Sequence, residues 1–152
     1  SRCYYPPVGN RSYGSVRMDA IETDLNEWNK RIVTIMQIET PLAVRNAEAI
    51  ACVPGVDGLF VGARDLSLRL GKASNEYTAH ANVKDEMEHV VSVCRKTGKA
   101  ASVIALTPEA LVARMQEGYR LICAGMDTDH LLADYERMRQ VFVGAKKDGG
   151  QP

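Results

Sequence analysis

The chain contains no apolar run approaching the roughly 18 residues needed to span a bilayer, and no charged-then-apolar signal region opens it. A protein retained in the cytoplasm, with no membrane partner, is the expectation. Net charge is also missing, because nineteen Lys and Arg balance nineteen Asp and Glu. The chain as a whole therefore has no field to recruit nucleic acid or an anionic lipid surface, and a small, locally recognised ligand fits better. There is no CxxC pair to suggest zinc or redox chemistry. Cys3, Cys52, Cys94 and Cys123 lie far apart, three of them in apolar segments. Reduced, mostly buried thiols are expected, as free cysteine commonly behaves. No segment is low in complexity. An initiating Met is absent too: the chain opens Ser1-Arg2-Cys3, which reads as a processed, excised or incomplete polypeptide.

What is present is an ordinary globular composition, 45% hydrophobic and 25% charged over 152 residues, enough for one domain, residues 1–152, with a core of its own. Between Ile32 and Gly125 short apolar runs alternate with amphipathic helical patterns, the mark of repeated βα units around a parallel sheet. The first strand reads Ile32 to Ile38. Thr40 and Pro41 then cap and start a helix through Ala43, Ala47, Ile50 and Ala51, closed by Cys52 to Gly55. A second strand, Gly58 to Gly62, leads into a helical turn at Asp65 to Leu68 and a polar loop from Gly71 to Asn82. A helix from Val83 to Lys96 places Met87, Val90, Val91 and Cys94 on one face.

The third strand reads Ala100 to Ala105, followed by a helix opened by Thr107-Pro108-Glu109 and ended near Gly118. The fourth, Arg120 to Gly125, hands over to a helix from Asp127 carrying Leu131, Leu132, Tyr135, Met138, Val141 and Phe142, with a frayed tail from Lys146. Ahead of the first strand, Asp19 to Arg31 reads as a helix after a turn-rich stretch from Pro6 to Gly14. Four βα units are half of what a (β/α)8 barrel of about 250 residues requires. The expectation is an α/β fold, the C-terminal half of a TIM barrel with parallel strands.

Polar residues gather after the strands. Glu39 and Asp65 follow two consecutive strands, which a right-handed βαβ connection brings side by side, at the end of the sheet where such folds build their sites. Two carboxylates converging there suit Mg²⁺ or Mn²⁺, with water and substrate oxygens completing the coordination. Spacing leaves a second reading open: Glu39 pairs locally with Arg45, and Asp65 caps the turn beginning at Leu66. In the loop Val61 to Ser67, Gly62 permits close backbone approach, and amides opening a helical turn can hold a carboxylate or phosphate. Gly125 to Thr128 offers a weaker turn of the same kind, for which a plain N-cap at Asp127 is the simpler reading. His80, His89 and His130 lie away from strand ends and receive no role.

With those residues in place, the sequence resembles the HpcH/HpaI aldolase family, class II 2-oxo-acid aldolases that include macrophomate synthase-like fungal enzymes. The resemblance runs through Tyr5 to Gly14 (family YPPxGxRGxG), Met36 to Thr40, Val53 to Gly62 (VPGVDGxFxG) and the DLSxxLG loop containing Asp65-Leu66-Ser67 and Leu70-Gly71. Gly125 to Thr128 resembles the family's last-strand turn. The resemblance implies that Glu39 and Asp65 are the protein ligands of a divalent metal, and that the amides of Gly62, Ala63, Arg64 and Asp65 hold the carboxylate of a pyruvate-like 2-oxo acid. It further implies cleavage or formation of a carbon–carbon bond to an aldehyde through a metal-stabilised enolate. Two residues depart from the pattern. Arg64 stands where the family usually has a small residue, leaving substrate choice open between a simple aldehyde and a larger acceptor. Ser12 replaces a Gly. The family's base His and active-site Arg belong to the other half of its barrel, so no residue here inherits those roles. An open half-barrel exposes sheet edges and apolar surface, which suggests a homo-oligomer or an inactive dimerising remnant.

Overall fold

The computed structural model describes residues 4–6, 8–10, 25–72 and 79–148. The apolar runs form four strands, β1 (Ile35–Ile38), β2 (Gly58–Val61), β3 (Ala100–Ala105) and β4 (Leu121–Ala124), hydrogen-bonded in chain order. Between and around them lie α1 (Leu25–Arg31), α2 (Pro41–Arg45), α3 (Ala47–Ala51), α4 (Ala63–Arg69), α5 (Ala79–Asn82), α6 (Lys84–Thr97), α7 (Pro108–Glu117) and α8 (Asp127–Asp148). The chain divides into two units, one through Ser102 and one from Val103.

In the first unit β1 pairs with β2, and β2 with β3, both in parallel. Side chains alternate across a strand, so Ile38, Leu59, Val61 and Ala101 share one sheet face, and all are buried. Helix α6 covers that face, packing on β2 and α3 through buried Met87, Val90, Val91, Val93 and Cys94. Each such side chain removed from water contributes about 1.5–3 kcal/mol. Burial also pushes the Cys94 thiol up from its ordinary value. The helix ends at Gly98, in the left-handed conformation at φ 70°, which a residue without Cβ adopts at no steric cost.

At the opposite end of these strands, Asp57 pins the register. Its carboxylate accepts from the Thr34 backbone N–H at 2.7 Å, while the Thr34 carbonyl accepts from Asp57 at 2.8 Å and Gly58 at 3.3 Å. This is why β1 begins at Ile35 rather than Ile32: the backbone of Thr34 is committed to a turn-like bond set before the ladder starts. The helix expected through Ala51 is likewise two pieces, interrupted at Asn46 (φ −95°, ψ 7°), a residue type whose side chain competes with helical backbone bonding. The polar stretch read as loop up to Asn82 contains α5, held by the buried Ala79 and by Asn82 Nδ2 donating to Ser67 Oγ at 3.0 Å. The short turn at Asp65 is a seven-residue helix.

In the second unit β3 continues toward β4, and Gly125 N–H donates to the Ala105 carbonyl at 2.8 Å. Helix α7 starts at the expected cap, Thr107 Oγ1 accepting from Ala110 N–H at 3.1 Å, and stops at Gly118. Helix α8 runs to Asp148, past the expected fraying point at Lys146. Residues 19–24 of the expected first helix, most of the turn-rich stretch before it, and Cys3 lie outside the described residues. Cys52 and Cys123 are exposed, contrary to the burial expected of them. Cys52 follows the last turn of α3, and Cys123 lies on β4, whose residues are exposed or half-buried. Among the described residues no helix is long and apolar enough to cross a membrane.

Candidate metal and 2-oxo-acid site

The register of β1 and β2 builds the site. Ile38 is opposite Val61, and Gly62 N–H donates to the Ile38 carbonyl at 3.0 Å, so Glu39 and Gly62 come level at the carboxyl end of the sheet. A Cβ at Gly62 would lie 2.9 Å from Glu39 Cβ, 3.1 Å from Gln37 Nε2 and 3.3 Å from Glu39 Oε2. Only glycine lets the β2–α4 connection pass this close to the Glu39 side chain. Gln37 Nε2 donates to Glu39 Oε2 at 2.7 Å, which fixes one carboxylate oxygen.

Gly62 is also the N-cap position of α4. Ala63, Leu66 and Ser67 are buried and tie the helix to the core, leaving Arg64 and Asp65 on its exposed side. Leu66 N–H closes the first turn on the Gly62 carbonyl at 3.0 Å, and the amides before it have no acceptor within the helix. Asp65 is thus the third residue of α4 rather than the end of β2, and the capping role open to it in the sequence falls to Gly62. Among the described residues Asp65 takes no hydrogen bond or ion pair, and Glu39 is joined to Gln37 rather than Arg45.

The candidate donors expected from the sequence are two carboxylates, one steered by an amide and one unengaged, and the described residues hold no cluster of three or more His, Cys, Asp or Glu. Such a set fits a hard divalent cation that completes its shell with water and substrate oxygens, and it does not fit the closed four-ligand arrangement of structural zinc. Gln37 is the member that the sequence reading passed over. The available signal was a polar residue inside an apolar strand, two positions before Glu39 and therefore on the same face.

The second turn of interest forms in the other unit. There Asp127 is the first residue of α8 rather than the residue before it, and its carboxylate accepts from the adjacent Thr128 N–H at 2.8 Å. His130, placed away from strand ends by the sequence reading, folds back onto one: Nε2 lies 3.4 Å from the Ala124 carbonyl and 2.7 Å from where a Cβ at Gly125 would sit. A helical turn brings residue 130 over the end of β4, which linear spacing hides. His89 is exposed on α6, and His80 is half-buried in α5.

Residues 1–133 match the model of the HpcH/HpaI aldolase/citrate lyase family. The chain is 36% identical, over 86% of its length, to the 4-hydroxy-2-oxovalerate aldolase of Rhodococcus jostii, covering 51% of that protein. It is 35% identical, over 96% of its length, to the 4-hydroxy-2-oxo-heptane-1,7-dioate aldolase of Salmonella arizonae, covering 57% of it. A solved HpcH/HpaI aldolase/citrate lyase family protein from Burkholderia cenocepacia superposes with a TM-score of 0.73 at 29% identity, over 92% of this chain and 57% of that one. The chain therefore spans about half the length of these relatives. With the rim carboxylates, the strand–glycine–helix connection between them and a family match across most of its residues, this chain belongs to the HpcH/HpaI aldolase/citrate lyase family.

Proposed function

We propose that the chain carries the metal-holding and 2-oxo-acid-holding part of a divalent-metal-dependent aldolase, a carbon–carbon lyase. The observation that supports this reading is the close approach of Gly62 to the Glu39 side chain, three residues before the unengaged Asp65 in the same strand-to-helix connection. Glu39 and Asp65 would hold Mg²⁺ or Mn²⁺, and the chemistry supplied by the ion when bound is Lewis-acid polarisation of the ketone of a pyruvate-like acid. Gln37 holds Glu39 in one orientation. The backbone amides of Ala63, Arg64 and Asp65, with Gly62 giving them room, hold the 2-oxo acid's carboxylate. In the cleavage direction the carbinol O–H loses its proton as the bond between C3 and the carbinol carbon breaks; that bond's electrons pass to C3 of the 2-oxo fragment, which then takes up a proton, and the carbinol carbon leaves as an aldehyde. The small-molecule partners are accordingly a 2-oxo acid and an aldehyde; the two relatives are named as aldolases of 4-hydroxy-2-oxo acids.

Calorimetric titration of the chain with MgCl₂ and pyruvate should give heats that Asp65→Ala removes. Indistinguishable heats for the two proteins would overturn the reading. A second reading, an inactive half that associates through its open surface, draws on the exposed Ile35 and Met36 of edge strand β1 and the exposed apolar residues of α8. Sedimentation across a hundredfold range of concentration tests it, and a monomer throughout rejects it.

A further inference from the structure

We propose that Asn82 is a positioning residue for the 2-oxo-acid site, acting through Ser67 to fix the pose of α4; this rests on the reading of Asp65 and its neighbours given above. Among the described elements α4 packs most closely on α5. The four residues Ala79–Asn82, which read as loop in the sequence, therefore form the backing of the helix that carries Asp65. Helix α5 is itself fixed to the core. Ala79 and Val83 are buried, Val83 N–H donates to the His80 carbonyl at 3.3 Å, and Met87 N–H donates to the Val83 carbonyl at 2.9 Å, which joins α5 to the core helix α6.

Ser67 is 0% exposed, and a hydroxyl taken out of water needs a partner. Asn82 Nδ2 supplies it, donating to Ser67 Oγ at 3.0 Å. Lys72 closes a ring around the pair: its N–H donates to the Ser67 carbonyl at 3.0 Å and its ammonium to the Asn82 carbonyl. At the other end of α4, Gly62 N–H is bound to the Ile38 carbonyl at 3.0 Å. Asp65 lies between these two fixed points in the chain. The buried Ala63 and Leu66 hold α4 by contacts that have no direction, whereas a hydrogen bond has one. The Ser67–Asn82 bond therefore sets the rotation of a helix seven residues long, and with it the placement of Asp65 and of the backbone beside it.

The test is calorimetric titration of pyruvate, with MgCl₂ present, into the full 152-residue chain at a temperature where every variant is folded by circular dichroism. Ser67→Ala deletes the buried hydroxyl and leaves the half-buried Asn82 amide to meet water. Ser67→Ala and Asn82→Ala should each weaken pyruvate binding about tenfold, the scale of one buried hydrogen bond. The double substitution should be no worse than either single one, since both break the same bond. Asn82→Asp should recover part of the affinity, because the Ser67 hydroxyl can turn and donate to a carboxylate. Thr107→Ala, which removes a helix cap in the other unit, should bind as the parent does. Parent-like affinity in Ser67→Ala and Asn82→Ala, with Asp65→Ala removing the heats, overturns the positioning role and leaves the metal site standing; so does a weakening in which the two substitutions simply add. Heats that Asp65→Ala leaves unchanged reject the metal site and the positioning role together. If Asn82→Ala does not fold, the affinity of Ser67→Ala decides.

Discussion

Helices α6 and α8 are both amphipathic, yet their apolar faces meet opposite fates. Helix α6 buries Met87, Val90, Val91, Val93 and Cys94 beneath a parallel sheet. Helix α8 leaves Leu131 at 62%, Leu132 at 67%, Tyr135 at 72%, Met138 at 68% and Phe142 at 62% exposure. Periodicity marks which side of a helix is apolar. It carries no information on whether the same chain supplies the surface that covers it, and exposed apolar area of this kind marks an interaction surface.

The largest effect that sharpens this contrast is on core packing. Leu59 is fully buried, so Leu59→Ala should cost about 2–5 kcal/mol in urea denaturation. Leu132→Ala in monomeric protein should fall within about 0.5 kcal/mol of the parent. A loss at Leu132 that grows with protein concentration would show that a second copy covers α8 and would erase the contrast.

A smaller effect comes from a motif common to both units. Thr40 accepts from Ala43 N–H at 3.0 Å and Thr107 from Ala110 N–H at 3.1 Å, each followed by a proline. Thr40→Ala and Thr107→Ala should each cost about 1 kcal/mol in a single cooperative transition. A Thr107→Ala transition that splits in two would mean the units melt separately.

The smallest effects are ionic. Hydrogen bonds from Arg139 and Gln140 hold the Glu136 carboxyl at about 2, below the ordinary value of about 4.3. Its contribution to α8 is present above that ordinary value and is lost as pH falls toward 2. Lys96 donates to Glu48 at 2.7 Å, which raises its pKa, so that pair's contribution is present at neutral pH and fades as pH rises beyond the ordinary lysine range. Melting curves of Glu136→Gln should converge with the parent in acid, and those of Lys96→Met in base. Both differences should shrink in salt, since these groups are exposed.

Much of the frame was legible in the residues. The third strand, both Thr-Pro helix starts and the glycine helix ends at 98 and 118 follow from local rules, because caps, prolines and apolar runs act within a few residues of themselves. Glu39 and Gly62 were legible as rim residues for the same reason. Less was readable where a partner distant in sequence decides the outcome. Thr34 is drawn out of β1 by Asp57, α5 is held by a bond to Ser67, Glu39 is steered by Gln37 rather than paired with Arg45, and His130 is folded over Gly125 by a helical turn.

By itself, then, the sequence determined a chain of βα units, their parallel order and the carboxylate of Glu39 at the end of the first strand, since hydrophobic period and capping chemistry are local properties. Only the tertiary structure decided that Asp65 stands in the first turn of α4 with Gly62 as its cap, that Gly62 passes against Glu39, and that α6 buries its apolar face while Leu131, Leu132 and Tyr135 of α8 stay exposed among the described residues. Those outcomes depend on strand register and on which surfaces meet, and both are set by contacts between residues far apart along the chain.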